Sequence, residues 1–436
     1  MRLLFAPYGT AGDVHPLVAL ALAARRAGHQ VMLAAPGNFA DLARRFDLPF
    51  VAATGDLQAR LARAGPRLLH RRWQQTEMTE RAIPELFASL PEAAQGMDGI
   101  IGAGVQLAGP SIAEALDIPY IFVGYTPVSW PSRCHPPPTA RSFGLPTPLN
   151  RLQWWLLGQF AQRGLGPAIN LERRRLGLPP WEATLDRLAG LPAILSADPV
   201  LAPPPPDLRH VRLIHPLRLV ENRPLDGALG TFLEAGPAPI YLGMGSMPLP
   251  NLARFEAALS TAIAQLTGAG HRLVVSAGWA GLAKALPASE GVFLAAGHLP
   301  HDGLFPRCAG IIHHGGAGTT LTAARAGRAQ AILPILLDQY YWRHRIRRLG
   351  VGPAGPSATG IRGPGPFQHL VTQLSSPAYA ARAAELGQGI RARERAQARQ
   401  WQDAQGVTWP LSDGVTALEA LLARPDAPNR SGTGRR

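Results

Sequence analysis

Cysteine and lysine are almost missing from this chain. Its two cysteines, Cys134 and Cys308, stand far apart among 436 residues, which excludes a disulfide framework and a cysteine-built metal cluster. Lys284 is the only lysine, so arginine carries nearly all the positive charge. Acidic residues are scarce too: 29 Asp and Glu against 43 Lys and Arg give a formal net charge of +14. That surplus raises the local concentration of anions, nucleotide-sugars and anionic lipids among them. It does not by itself indicate nucleic acid. No zinc-finger spacing, basic recognition helix or regular aromatic–basic interleaving accompanies it, and no nucleic-acid partner is expected. No apolar run reaches the roughly 18 residues of a membrane span. The apolar start Leu3-Leu4-Phe5-Ala6 breaks at Pro7 and Asp13, so no secretory signal is read. A cytoplasmic protein is expected, with any membrane contact peripheral.

What is present is a large apolar reserve, 46% of residues, in a chain long enough for two domains. Strand and helix patterns alternate twice. In the first half, strands are predicted at Arg2–Ala6, Val31–Ala35, Asp98–Ile101, Tyr120–Val123 and Gly190–Ala197. Helices are predicted from Pro16 to near Gly28 and at Ala108–Leu116, with Pro16 in the first turn and Gly28 at the C-terminal cap. Between Tyr125 and Gln159 the order gives way to a Pro-rich loop with aromatics. Four prolines, Pro203–Pro206, then stiffen the chain into a linker. The second half predicts strands at Ile240–Leu242, Arg272–Ser276, Val292–Leu294, Gly310–Ile312 and Ala331–Leu333, and a helix at Asn251–Leu266. Helices at Tyr379–Arg399 and Gly414–Leu422 follow, the latter capped by Ser412 or Asp413. The resulting division is a domain over 1–205, a linker over 206–236, a domain over 237–405, a closing helix over 406–425 and a disordered tail over 426–436. The fold class is α/β, with two Rossmann-like parallel-sheet domains facing a central cleft. Ligands in such folds bind at the carboxyl ends of the strands.

The most informative stretch is Gly310-Ile311-Ile312-His313-His314-Gly315-Gly316-Ala317-Gly318-Thr319-Thr320. Strand, glycine turn and helix together can cradle a phosphate. Unpaired N–H groups and the positive dipole end face the anion, and glycine removes the Cβ that would block it. Thr319 and Thr320 could cap the helix or bond a phosphate oxygen. The plainer alternative is a glycine turn with His313 or His314 packed.

Three motifs give the chain its resemblance to the nucleotide-sugar glycosyltransferases of the GT-B fold. It is most similar to the branch of sterol and glycopeptide-antibiotic glycosyltransferases. The motifs are Gly9-Thr10-Ala11-Gly12-Asp13-Val14-His15-Pro16-Leu17, His313–Thr320, and Pro334–Trp342 followed by Leu349-Gly350-Val351-Gly352-Pro353. The resemblance implies a C-terminal helix returning to the N-terminal domain. It implies Asp13 as the general base, with no acidic partner in Ile100–Gly104. It assigns the donor to Thr10, Gly12, Ser246, Trp279, His298, His314, Gly316, Ala317, Gly318, Thr319, Asp338 and Gln339. Ser246 would touch the phosphates, Trp279 would stack on the base, His298 would line its pocket, and Asp338 with Gln339 would hold the sugar. Ala11 departs from the arginine common in relatives, removing a donor contact. No cofactor and no metal are implied, the UDP-sugar being a co-substrate.

These side chains would suit sugar transfer. N–H groups and His314 would stabilise the leaving diphosphate, Asp338 and Gln339 would bond adjacent hydroxyls, and Asp13 would take the acceptor proton. Other roles remain open: Asp13 as a helix cap, His15 as a rival base or, next to Pro16, as packing or capping, Asp338 paired with Arg343, Arg345, Arg347 or Arg348, and Trp279 in the core. Trp73, Trp130, Trp154 and Trp155, with Tyr125 and Phe143, suggest a bulky apolar acceptor, such as a sterol or polyketide, or else ordinary packing. Arg60, Arg63, Arg67, Arg71 and Arg72, interleaved with Leu61, Leu68, Leu69 and Trp73, read as a membrane-facing stretch or a solvated basic helix. A nucleotide-sugar epimerase on the same architecture, or a silent nucleotide-sugar binder, are the competing functions.

Overall fold

The computed structural model describes residues 1–65, 67, 70–219, 225, 227–245, 249, 251–278, 282, 286, 289–295, 297, 299–405 and 412–423. The first sheet holds β1 (Arg2–Tyr8), β2 (Gln30–Pro36), β3 (Phe50–Thr54), β4 (Gly99–Gly104), β5 (Tyr120–Gly124), β6 (Ala193–Ser196) and β7 (Val211–Ile214). The second holds β8 (Ile240–Gly243), β9 (Leu273–Ser276), β10 (Val292–Ala295), β11 (Gly310–His313) and β12 (Gln330–Ile332). Their orders are β3-β2-β1-β4-β5-β6-β7 and β10-β9-β8-β11-β12, with every pairing parallel. Each sheet reverses its winding once, between β1 and β4 and between β8 and β11. At those two places the following helices diverge to opposite faces and leave a crevice.

The strands are apolar at consecutive positions because both faces are covered. In β1, Leu3 and Phe5 join one core cluster while Leu4 and Ala6 join another on the opposite face. In β8, Ile240 and Leu242 likewise face one cluster and Tyr241 the other. A further cluster joins the domains, packing Val128, Trp130 and Leu195 against Tyr341, Trp342, Ile346 and Ile390. Polar contacts pin the same seam. Arg393 donates Nη2 and Nε to Asp198 Oδ2 at 2.8 and 3.0 Å, and Arg345 Nε donates to the Leu201 carbonyl at 2.8 Å.

The closing helix Ser412–Leu422 does return to the first domain. Val415, Leu418 and Leu421 sit in the core with Leu17 and Leu20, and Glu419 bonds His29 at 2.9 Å. Its Asp413 lies within the helix and accepts the His215 N–H at 2.7 Å. Residues 426–436, expected as a disordered tail, lie outside the described residues.

Several expectations need correction. The first helix spans Ala11–Arg26, so Pro16 lies inside it; of the segment Pro7–His15, expected as a loop, Pro7 and Tyr8 end β1 and Ala11–His15 begin the helix. Thr10 as N-cap and Asp13 three residues on close the turn earlier than the proline signal suggested. The expected linker 206–236 contains β7, paired to the free edge of β6, and a helix Gly227–Glu234 whose Leu229 and Leu233 pack in the second domain. The Pro-rich stretch after Tyr125 contains an 18-residue helix, Thr147–Gly164, with Pro148 in its first turn. Arg60 is buried against Glu77 and Glu85, which withdraws it from any membrane-facing row.

Candidate active site

The β1–β4 crevice holds Asp13. Its carboxylate lies in a notch made by two glycines. A Cβ on Gly9 would come within 2.1 Å of Asp13 Oδ2, and one on Gly104 within 3.0 Å of its Cγ. Gly104 also has φ +69°, a conformation that favours glycine. The Thr10 N–H donates to Asp13 Oδ2 at 2.9 Å, so the capping role is real. Tyr125 donates its hydroxyl to the Asp13 carbonyl at 2.9 Å, tying β5 to the same turn. Burial of the carboxylate raises its pKa from the usual range to about 7; the Thr10 N–H opposes the shift and the Asp338 carboxylate adds to it. A first-domain acid thus senses the charge of a second-domain acid. Asp13 is only partly covered as a residue, so the cleft still reaches it.

The β8–β11 crevice holds the His313–Thr320 turn read in the sequence as a phosphate cradle. His313 and His314 have different fates. His313 is fully buried; its Nδ1 accepts the Gly315 N–H at 3.1 Å, which leaves Nε2 to donate to Gln330 Oε1 at 2.9 Å. It is a neutral structural residue, its pKa pushed down to about 3 by burial first and by His314 second. His314 turns to the glycine loops. A Cβ on Gly245 would lie 2.4 Å from its Cε1, and one on Gly316 2.6 Å from its Nε2. Both positions therefore have to be bare for the ring to fit. Burial lowers His314 to about 4, so it is neutral at pH 7. Its Nδ1 is buried without a hydrogen-bond partner among the described residues, and the Gly243 backbone opposes the shift.

Beside it the helix Ala317–Ala326 begins after Gly316, with Ala317, Gly318 and Thr319 as its first residues. Their N–H groups precede the first intrahelical bond and point out of the helix end. Neither threonine caps the helix: Gly316 is the N-cap, and Thr320 turns its hydroxyl back to the Gly316 carbonyl at 2.9 Å. Thr319 is half-buried at the helix mouth. The anion-binding elements are thus N–H groups, a dipole end and a neutral imidazole. Among the described residues no three His, Cys, Asp or Glu side chains converge as a metal ion would require.

Asp338 and Gln339 stand at the start of the helix Gln339–Leu349. Asp338 is not paired with an arginine among the described residues; Trp342 Nε1 donates to its Oδ2 at 3.1 Å. Burial raises Asp338 to about 6, with that bond opposing. The nearby arginines go elsewhere, Arg343 to the Gly355 and Arg141 carbonyls, Arg345 to Leu201 and Val200. Gln339 is 5% exposed, and its Oε1 accepts the N–H groups of Ile335 and Leu336 at 2.7 and 3.1 Å. Its oxygen holds the loop in which Leu337 adopts φ +54°, and only its amide NH₂ remains for a sugar. Gln339→Ala is therefore expected to cost stability, about 1–3 kcal/mol for stranding those two donors. Urea unfolding beside a transfer assay measures both effects.

Two comparisons bear on this geometry. Residues 3–129 match the glycosyltransferase family 28 N-terminal domain, and 261–398 the erythromycin biosynthesis protein CIII-like C-terminal domain. The chain is 37% identical to the vancomycin aglycone glucosyltransferase of Amycolatopsis orientalis, over 82% of this chain and 87% of that one. The chain belongs to the GT-B glycosyltransferases. A dTDP-epi-vancosaminyltransferase of Amycolatopsis orientalis is 34% identical over 82% of this chain and 87% of its own. A sterol 3-beta-glucosyltransferase of Arabidopsis thaliana is 30% identical over 81% of this chain and 58% of its own. Among solved structures, the spinosyn forosaminyltransferase SpnP superposes with a TM-score of 0.64 at 19% identity, covering 97% of this chain and 100% of that one. The glycosyltransferase VinC, in complex with dTDP, superposes at 0.63 with 19% identity, covering 90% and 96%.

In this glycosyltransferase the structure brings Asp13, Thr10 and Gly12 to the first crevice. It brings His314, Gly316, Ala317, Gly318 and Thr319 to the second, where Asp338 and Gln339 begin the next helix of that domain. Ser246, Trp279 and His298 lie outside the described residues. The aromatic acceptor set divides. Trp130 is 1% exposed and packs against Phe122 and Gly124, so it is core and not an acceptor surface. Phe143 packs on Tyr341 and His344 across the domain seam. Tyr125 reaches the Asp13 carbonyl with its hydroxyl, and Trp73 is half-buried in the helix Arg71–Thr76. Trp154 is buried, donating to the His135 carbonyl at 2.9 Å. Two contributors went unassigned in the sequence. Gly104 makes room for the base, and Trp342 orients Asp338. Trp342 stands four residues after Asp338 on one helix, a spacing that could have identified it.

Proposed function

We propose that this glycosyltransferase moves a hexose, glucose by its resemblance, from a UDP-sugar to a hydroxyl of a lipophilic acceptor, with inversion and without a metal. Asp13 takes the acceptor proton as the oxygen attacks the anomeric carbon. The bond from that carbon to the diphosphate breaks, and its electron pair leaves with the nucleoside diphosphate. The helix N-terminus at Ala317 and the His314 ring receive the charge that develops there. Attack from the Asp13 side and departure toward His314 oblige the carbon to invert. The reading is supported above all by one observation: Asp13 sits in the Gly9–Gly104 notch of one crevice and His314 beside the open helix end at Ala317 in the other, so a proton acceptor and an anion-binding end stand in the two domains that the Trp130–Tyr341 cluster joins. The names of two relatives, a vancomycin aglycone glucosyltransferase and a sterol 3-beta-glucosyltransferase, support a bulky acceptor.

The test is a donor panel of UDP- and dTDP-linked α-glucose, galactose and N-acetylglucosamine with sterol, polyketide and glycopeptide acceptors, run in EDTA. Expected is a glucoside whose proton NMR coupling shows the β-anomer, formed at an undiminished rate in the chelator. An α-linked product would overturn inversion, and loss of activity restored by a divalent ion would overturn metal independence.

A further inference from the structure

The helix Thr147–Gly164 lies outside the catalytic crevices and carries a feature that sugar transfer does not require. Its inward face is anchored: Asn150 donates to the carbonyls of Arg133 and Leu145, Trp154 to that of His135, and Gly158 meets Leu185. Its outward face is apolar. Leu149, Leu152, Leu156 and Phe160 are 46, 49, 40 and 57% exposed, and Trp155 on the flank is 59% exposed. With 100° per residue the first four fall on one stripe opposite the anchored face. Of the eleven exposed large apolar side chains among the described residues, five are on this helix. Scattered exposed leucines are ordinary, but a contiguous row is not.

Charge surrounds the row with one sign. The helix carries Arg151 and Arg163, both exposed, and no acidic residue. The helix Arg71–Thr76 lies alongside, with Arg71 over the Phe160 ring at 5.3 Å and Gln75 bonding the Gly164 carbonyl; it too has no acid. Acids on the packed neighbours lie away from the row: Glu172, on the helix Gly166–Arg175, is buried and paired with Arg175, and Glu182 and Asp186 belong with the short helix Thr184–Ala189 on the anchored side. An apolar row with Trp and Phe, flanked by arginine, matches a bilayer surface in which ring and leucine side chains enter the headgroup boundary and guanidinium groups meet lipid phosphates. No helix among the described residues is long and apolar enough to cross a membrane, so the contact would be at its surface.

We propose that the outward face of Thr147–Gly164, with Arg71, Arg72, Arg151 and Arg163, is a docking surface for an anionic lipid bilayer. The row begins next to the domain seam. Phe143 and Arg141, just before the helix, touch Tyr341 and Tyr340 of the second domain. Docking therefore places the mouth of the cleft at the lipid surface.

Co-sedimentation of the full chain with phosphatidylcholine vesicles and with mixed phosphatidylglycerol–phosphatidylcholine vesicles tests this. Binding is expected to the mixed vesicles alone and to weaken as salt rises. Leu152→Ser, Leu156→Ser and Phe160→Ser combined should weaken it at least tenfold, with melting temperature and UDP affinity preserved. Arg71→Gln with Arg163→Gln should weaken it about tenfold or more, which reads the surface independently should the apolar triple fail to fold. No binding to mixed vesicles, or binding unchanged in both variants, overturns the proposal. So does a concentration-dependent dimer in light scattering that the apolar triple dissolves while vesicles are ignored, since the face would then be covered by a second copy.

Discussion

Asp13→Asn is expected to lower kcat by roughly 10²–10⁴ while nucleoside-diphosphate affinity stays within a few fold. The carboxamide keeps an oxygen for the Thr10 N–H, so the first turn of the helix Ala11–Arg26 should survive. What is lost is the carboxylate proposed to take the acceptor proton. Stopped single-turnover assays and calorimetry with UDP measure the two quantities. Near wild-type turnover would end the assignment of Asp13 as base. The pH profile gives a second readout. With a pKa of about 7, Asp13 is protonated in acid and inactive as a base, so wild-type kcat/KM should fall about tenfold per unit below pH 7. Stability runs the other way. A carboxyl raised above its unfolded value holds its proton more tightly when folded, and that contribution is present below the unfolded pKa and lost as pH rises through 7. Asp13→Asn should therefore melt higher than wild type at pH 8 and no higher at pH 4. A base kept in a destabilising site is a common exchange of stability for activity.

His314→Ala is expected to weaken binding of both the nucleotide-sugar and the free nucleoside diphosphate, by about 10- to 100-fold if one charge-assisted hydrogen bond is lost. The diphosphate is common to both ligands, so both affinities should move together. Because burial holds His314 neutral, it contributes a bond and not a full charge, and affinity should not follow its titration between pH 6 and 8. Gly316→Ala should imitate the loss, since its Cβ would sit 2.6 Å from His314 Nε2 and displace the ring. Isothermal titration with UDP on both variants checks this; unchanged affinity in His314→Ala would remove the residue from the cradle. His313→Ala should instead act on stability, because its ring joins Gly315 to Gln330 within the core.

Much of this molecule could be read from local pattern. Both parallel sheets, the paired crevices and the phosphate cradle follow from strands apolar at consecutive positions and from glycine placed between strand and helix. Those signals act over a few residues, so they are present in the sequence before any folding. Boundaries shifted where two local signals competed. Pro16 suggested a helix start, but Thr10 and Asp13 closed the turn first. Other errors arose because a residue type does not reveal what stands beside it. Val211–Ile214 is too short to declare itself a strand and needs the edge of β6 to become one. Trp130 and Phe143 are both aromatic side chains near the cleft in sequence, yet one is core and the other seals the domain seam. Adjacent histidines differ by a half-turn of backbone, which sends His313 into the core and His314 to the loops. The charge state of Asp13 was out of reach for the same reason. It depends on burial against Gly9 and Gly104 and on Asp338, more than 300 positions away, and such proximity comes only when the two domains meet along the seam. The sequence by itself determined which chemical groups stand at the strand ends and the alternation of strand and helix that carries them there. Tertiary packing decided which of those groups are free to react, because burial and long-range neighbours set their ionisation and partners.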